Sequence, residues 1–220
     1  MANIDFITAV HSSTPRNYRT RVVDDDKAAC AELALKWGRD YWDGDRSTGY
    51  GGFHYDGRWK PVAERIVEHY KLSADARILD VGCGKAFLLY EFTQILPGAT
   101  VAGIDTSAYA LEHSKPEVRS TLQVGTAANL PYENDSFDLV ISINTLHNLY
   151  NYELWSALAE IERVGRQAKY VTVESYRNER EKVNLIYWQL TCRAFHTPRE
   201  WEWLFEQAGY TGDYGFIFFE

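Results

Sequence analysis

Cysteine is scarce and scattered in this chain. Only Cys30, Cys83 and Cys192 occur in 220 residues, and none pairs as C-x-x-C. That excludes a disulfide framework and the usual zinc-ligand spacings. It suits a reducing, cytoplasmic setting. The six histidines share no metal-ligand spacing with one another or with cysteines, so no metal is expected. No apolar run reaches the roughly 18 residues that a membrane span needs. The opening residues, Met1 to Phe6, carry neither a basic segment nor a long apolar one, which argues against a secretory leader. Positive charge is in short supply: 31 acidic residues against 23 basic ones leave a formal charge of −8. Without a Lys/Arg-rich run, the chain lacks the electrostatic footprint of a nucleic-acid binder. Internal repeats and low-complexity tracts are missing too.

Aromatic residues are abundant, with 15 Tyr, 10 Phe and 7 Trp. Hydrophobic residues at 45% and charged ones at 25% are ordinary for a globular protein. A chain this long buries most of the surface it exposes when unfolded, so it needs no covalent staple. The aromatic excess suits the building of pockets as well as packing.

Composition shifts near residue 60. Before it, Ser12-Ser13-Thr14-Pro15 reads as a loop, and Asp24 to Asp26 precede an alanine-rich stretch expected to be a single helix, Lys27 to Trp42. Residues 43–59 hold five glycines among aromatics and charges. Residues 1–60 are therefore expected to be a segment laid on the domain formed by 61–220, not an independent unit. After residue 60, strand-like and helix-like runs alternate. Pro61 opens a helix with Val62, Ile66, Val67 and Tyr70 on one face. Strands are expected at 78–81, 101–104, 121–124, 137–143, 170–173 and 215–219, and helices at 86–95, 107–114, 152–164, 180–193 and 198–208. Such alternation implies βαβ units and a mostly parallel, Rossmann-like doubly wound sheet of six or seven strands, with helices on both faces.

The chemistry centres on Ile78-Leu79-Asp80-Val81-Gly82-Cys83-Gly84-Lys85-Ala86. A buried strand enters a glycine turn and then a helix, which places a ligand at the strand's carboxyl end. Asp105 ends the next strand, where an acid can accept from both hydroxyls of a ribose. A nicotinamide dinucleotide is the alternative ligand. Against it, Asp80 would sit beside a pyrophosphate, and Phe87 stands where the third glycine of a G-x-G-x-x-G fingerprint belongs. A ligand bearing an amino group and a sulfonium suits Asp80 better.

The run resembles the first motif of class I S-adenosylmethionine-dependent methyltransferases, in particular the small-molecule group similar to ubiquinone and menaquinone biosynthesis methyltransferases. Val101 to Ser107, Val124 to Tyr132 and Asp135 to Asn144 are similar to the later motifs, so the likeness spans roughly 61–175. It departs from the family at Ala86, where glycine is usual, and at Thr126, where an acid is frequent. The family's closing pair of strands has only one clear counterpart here.

The resemblance implies S-adenosyl-L-methionine as cofactor and S-adenosyl-L-homocysteine as product. Gly82, Cys83 and Gly84 would meet the methionine part, with Asp80 near its amino group and Asn144 beside it. Asp105 would bind the ribose, with Thr106, Thr126 and Ala127 around the adenine. His147, just past the fourth strand, is the candidate general base. Glu174 and His196 are secondary candidates. Tyr50, Tyr55, Arg58 and Trp59, with Phe53 and His54, are expected in a lid that shapes the acceptor pocket, and Arg46 and Arg58 suit an acidic partner. The expected partner is a small molecule, acting on a monomer or homodimer. An NAD-dependent oxidoreductase and a non-catalytic S-adenosylmethionine-binding partner subunit are the competing readings.

Overall fold

A computed structural model describes residues 1–12 and 16–220. Of the loop expected at Ser12 to Pro15, the residues 13–15 lie outside the described residues. Four short helices come first: α1 (Thr8–Ser12), α2 (Thr20–Val23), α3 (Lys27–Ala34) and α4 (Arg39–Asp43). Then α5 (Lys60–Tyr70) leads to β1 (Arg77–Val81), α6 (Phe87–Ile95), β2 (Thr100–Asp105), α7 (Ala108–Glu112), α8 (Pro116–Arg119) and β3 (Leu122–Val124). The second half holds β4 (Phe137–Ile143), a 3₁₀ turn (Leu146–Asn148), α9 (Asn151–Val164), β5 (Gly165–Glu174), α10 (Glu179–Trp188), α11 (Pro198–Gln207) and β6 (Asp213–Ile217).

The strands form one sheet in the order β3-β2-β1-β4-β5-β6, and every neighbouring pair is parallel. The order reverses direction between β1 and β4, which opens a crevice at their carboxyl ends. Strand residues alternate between two cores, as a period of two requires. Ile78, Leu139, Ile141 and Tyr170 pack with α5, α6 and α10, through Ile66, Leu89, Phe92 and Leu185. Leu79, Val81, Val140, Val171 and Val173 pack with α9 and α11, through Leu158, Ile161, Trp201 and Phe205.

One expectation needs correction. The stretch 27–42 is not one helix: Trp37 takes a left-handed φ of 51° and Gly38 is extended, so α3 and α4 are separate. Asp26 does cap α3, accepting from the N–H groups of Ala28 and Ala29. The break lets Trp42 turn inward, where its indole donates to the Trp37 carbonyl and to Ser107 Oγ. The sheet has six strands among the described residues, within the expected six or seven. The outer edge of β6 is met by the chain's own beginning, where Asn3 bridges Tyr214 in parallel. Ile4 N–H donates to the Tyr214 carbonyl at 2.7 Å, and Tyr170 Oη donates to the Ile4 carbonyl at 2.9 Å.

Phe6 and Ile7 belong to the same core as α5. The Phe6 ring meets His69, Tyr70 and Tyr170 edge-on or tilted, with the Arg65 guanidinium over its face. Replacing Phe6 by Ala should therefore cost about 3–5 kcal/mol, in the range for buried Phe truncation. A urea titration would show it as a lower midpoint at unchanged slope. A loss below about 1 kcal/mol would mean that this segment is only draped on the surface.

Candidate active site

β1 runs directly into the glycine turn, whose backbone is unusual. Gly82, Gly84 and Ala86 all have positive φ, at 82°, 53° and 55°. A Cβ on Gly82 would overlap the Thr145 side chain, and one on Gly84 would press on the Trp42 ring. Ala86 holds the same left-handed region with a methyl group, at a cost of about 1–2 kcal/mol. Asp105 ties the turn to the end of β2. One carboxylate oxygen accepts from Gly84 N–H and the other from Ser107 N–H, both at 2.8 Å. Each oxygen keeps a further lone pair for a ligand.

Two cavities open on this turn. One, of about 70 Å³, is walled by Asp80, Gly82, Cys83, Gly84 and Asn144, with Trp42, Phe53 and Trp59 above. The other, of about 160 Å³, is walled by Asp105, Thr106, Thr126, Ala127 and Asn144, with Trp37, Tyr41 and Trp42. The nine residues expected to meet the cofactor are thus brought together around two adjoining spaces. Asp80 is 5% exposed, and its Oδ1 is buried without a hydrogen bond. Burial, and then the nearby Asp105, push its carboxyl up to about 8. Asn144 Oδ1 is likewise buried and unbonded, on a residue with a φ of 57°. Burial and the two aspartates also push the Cys83 thiol well above its ordinary range.

The aromatic segment is fastened over the turn. Lys85, itself buried, places Nζ 2.7 Å from both Asp43 carboxylate oxygens and 2.9 Å from the Phe53 carbonyl. Tyr109 Oη adds a bond to Asp43 at 3.0 Å. Burial pushes the Asp43 carboxyl up, but the bonds from Lys85 and Tyr109 outweigh it and hold the carboxyl below its ordinary value. Trp42 stacks on Tyr50, Tyr50 tilts against Phe53, and Phe53 stacks on Phe87.

A third cavity, of about 540 Å³, adjoins the first two. Tyr50 and Asn144 line all three spaces, so they mark the junction. Trp59 and Arg58 are on its wall, and Arg58 is paired with Asp56 through Nε at 2.7 Å. The wall also carries Glu174, the last residue of β5, which is 4% exposed. Its Oε2 makes no hydrogen bond and lies 3.4 Å from His147 Nε2. Gln189 donates to its other oxygen. Burial pushes the Glu174 carboxyl up to about 8, against smaller opposing effects of Gln189 and Arg16.

The structure places His147 behind Glu174, 2% exposed and on the wall of none of these three cavities. Its Nδ1 accepts from the Glu174 N–H at 3.3 Å, which leaves the ring proton on Nε2, facing the carboxyl. Burial lowers its pKa to about 3, so the ring is neutral. His196 lies outside these cavities as well, bonded to Asn151 and edge-on to Trp201. Tyr55 points away, donating to Glu91 at 2.9 Å under the Lys115 ammonium. Sequence reading missed Trp37, Tyr41, Trp42, Asp43 and Lys85. The signal for Lys85 was a lone cation inside the glycine turn. Trp37, Tyr41 and Trp42 were absorbed into the supposed long helix, and Asp43 into the glycine-rich segment that follows it.

The family model described as a methyltransferase domain matches residues 72–209. An uncharacterized methyltransferase of Synechocystis is 29% identical over 157 residues, covering 66% of this chain and 71% of that protein. A demethylmenaquinone methyltransferase of Symbiobacterium thermophilum is 31% identical over 116 residues, covering 49% of this chain and 45% of that one. Several other relatives are likewise spanned for less than half of their length. Among solved structures, the YcgJ protein of Bacillus subtilis superposes with a TM-score of 0.55 at 21% identity, over 66% of each chain. A geranyl diphosphate methyltransferase in complex with S-adenosylmethionine gives 0.57 at 17%, over 68% of this chain and 64% of that one. The chain belongs to the methyltransferase domain family, the S-adenosylmethionine-dependent class to which Asp80, Gly82, Gly84 and Asp105 point.

Proposed function

We propose that the chain binds S-adenosylmethionine in the two smaller cavities and methylates an oxygen or nitrogen of a small molecule held in the larger one. The observation that carries this reading is the junction: Tyr50 and Asn144 line all three spaces, so two ligands would meet there end to end. The orphaned oxygens of Asp80 and Asn144 fit the cofactor's cationic amino-acid part, and Asp105 fits its ribose. The cofactor supplies a methyl group already activated on sulfur, so the protein's task is alignment. The segment from Trp37 to Trp59 serves as a lid that excludes water, held down by Lys85 and Asp43. Glu174 faces the acceptor and, in its carboxylate form, takes the acceptor's proton as the new bond forms; because its pKa is about 8, that form is reached only as pH rises toward 8. His147, the base expected from sequence, acts as a positioning residue behind it. The acceptor is a metabolite: the chain is acidic, which disfavours nucleic acid, and the cavity of about 540 Å³ is of a size for a small molecule.

Thermal unfolding in the presence of S-adenosylhomocysteine, beside NADH, tests the cofactor. At 100 times its dissociation constant a ligand adds about 2.7 kcal/mol, roughly 5–10 °C for a chain of this size. A shift with NADH and none with S-adenosylhomocysteine would overturn the reading.

Asp80 sets the pH dependence of that binding. Its carboxyl is protonated below about 8 in the ligand-free chain, and pairing with an ammonium requires the ionised form. Affinity for S-adenosylhomocysteine should rise with pH toward about 8, with a slope of up to about tenfold per pH unit. Calorimetry in buffers of different ionisation enthalpy should detect proton release, and Asp80→Asn should abolish both slope and release. A pH-independent affinity in the native chain would remove Asp80 from the site.

Glu174 leaves a signature in stability. Its folded pKa is raised from 4.5 to about 8, so the retained proton stabilises the fold at low pH. That contribution is lost as pH climbs through the same window, because the buried carboxylate must then charge. Glu174→Gln should therefore be more stable than the native chain at pH 9 and closer to it at pH 5, measured by urea midpoints. Parallel pH profiles for the two would mean that Glu174 ionises normally.

A further inference from the structure

In a chain with eight more acidic than basic groups, the cavity of about 540 Å³ beside Glu174 has the opposite sign. Four arginines line it, against the single carboxyl of Glu174. Arg58 is neutralised by Asp56. The other three, Arg16, Arg21 and Arg46, converge on one indole. Their guanidinium carbons lie 5.4, 5.0 and 5.0 Å from the Trp188 ring centroid.

Part of this has a purely structural use. Arg21 donates to the Trp188 carbonyl, and Lys27 to the carbonyls of Tyr187 and Gln189, at the carboxyl end of α10. Arg46 Nη1 donates to the Tyr50 carbonyl at 2.7 Å. Those bonds account for donors, not for charge. A helix terminus offers about half a negative charge, and the Arg21 and Arg46 guanidiniums alone bring two positive ones. Among the described residues, no carboxylate lies within 4.0 Å of Arg21 or Arg46. Burial and then the neighbouring Arg46 lower the Arg21 pKa, and burial lowers that of Arg46, so charging the group is already costly. Arranging like charges around a half-buried ring is reasonable only where an anion completes them.

We infer that Arg16, Arg21 and Arg46 over Trp188 form an oxyanion subsite, so the acceptor is an acid bearing a carboxylate or a phosphate. This rests on reading the large cavity as the acceptor site. The arginines line only that cavity, and neither of the two spaces assigned to the cofactor. The anion would anchor one part of the acceptor and leave its nucleophilic atom toward Tyr50 and Asn144.

The test is calorimetric titration of the chain, with and without saturating S-adenosylhomocysteine, using benzoate, phenyl phosphate and neutral benzyl alcohol as probes. At least one of the two anions should bind the loaded protein, and benzyl alcohol should not. The better of benzoate and phenyl phosphate identifies the acid. A hydrogen-bonded charge of this kind is worth about 1.5–3 kcal/mol, so Arg21→Gln and Arg46→Gln should each weaken the anion about tenfold or more. Arg46→Lys should keep part of the affinity, and S-adenosylhomocysteine should bind all three variants as it binds the native chain. The inference is overturned if neither anion binds, if benzyl alcohol binds equally well, or if both Gln variants bind the anion unchanged. It is also overturned if S-adenosylhomocysteine displaces the probe, because the arginines would then hold the cofactor's own carboxylate. Failure of S-adenosylhomocysteine to bind at all would count against the proposed cofactor, and anion binding to the unloaded chain would still decide the subsite.

Discussion

The buried pair of Lys85 and Asp43 is the contact on which the site's shape depends. Lys85 stands inside the glycine turn, and Asp43 ends α4, which is distant in sequence. Taking both charges out of water costs several kcal/mol each before their attraction is counted. The geometry recovers that cost by filling the donors and acceptors: Asp43 also accepts from Tyr109 and from Phe53 N–H, and Lys85 also donates to the Phe53 carbonyl. The pair specifies where the aromatic segment lies as much as how stable it is. It works with the bonds of the Trp42 indole to the Trp37 carbonyl and Ser107 Oγ, which hold Trp42 over Gly84, and it fixes Phe53, whose ring stacks on Phe87.

The turn beneath shows the complementary constraint. Three left-handed residues within five bring backbone N–H groups close to the ends of β1 and β2, and Asp105 locks that arrangement by accepting from both sides. The strain at Ala86 is retained because its methyl group is buried in the core with Leu88 and Leu89. Strain of this kind persists where surrounding packing over-determines it.

The sheet was legible in the sequence because its determinants are local. Short, largely apolar runs at 78–81 and 137–143, helical spacing at 152–164 and Pro61 all mark elements within a residue or two of those observed. The glycine turn was legible for the same reason. Depth and convergence were not. Sequence puts His147 just past β4 but says nothing of which way a 3₁₀ turn aims its ring, and so it could not rank His147 against Glu174. The break at Trp37 has one local signal, Gly38, a poor helix former masked by residues on either side that suit a helix; the docking of Trp42 on Ser107 follows from that break. Arg21 meets the carbonyl of Trp188 across 167 residues, a juxtaposition that only the fold creates.

Charge is distributed along the three cavities in a way that gives direction. The cofactor spaces hold Asp80 and Asp105, close enough for Asp105 to raise the Asp80 pKa. The acceptor space holds the arginines. Tyr50 and Asn144, at the junction, carry no charge. In the proposed reading a sulfonium with its ammonium is favoured on the acidic side and rejected on the basic side. An acid is favoured and rejected in the opposite sense. Each ligand therefore enters in one orientation, with its reactive end toward the other. Glu174 stands on the basic side, yet its burial keeps it protonated near neutral pH, so it does not cancel the arginines before an acceptor arrives. Binding an anion there would make a second negative charge on Glu174 harder to form. A neutral carboxyl cannot take a further proton, so in this reading Glu174 must first release its own to solvent before it accepts the acceptor's. In the same reading alignment and charge placement share the task, and Lys85, Asp43 and His147 support it from outside the three spaces.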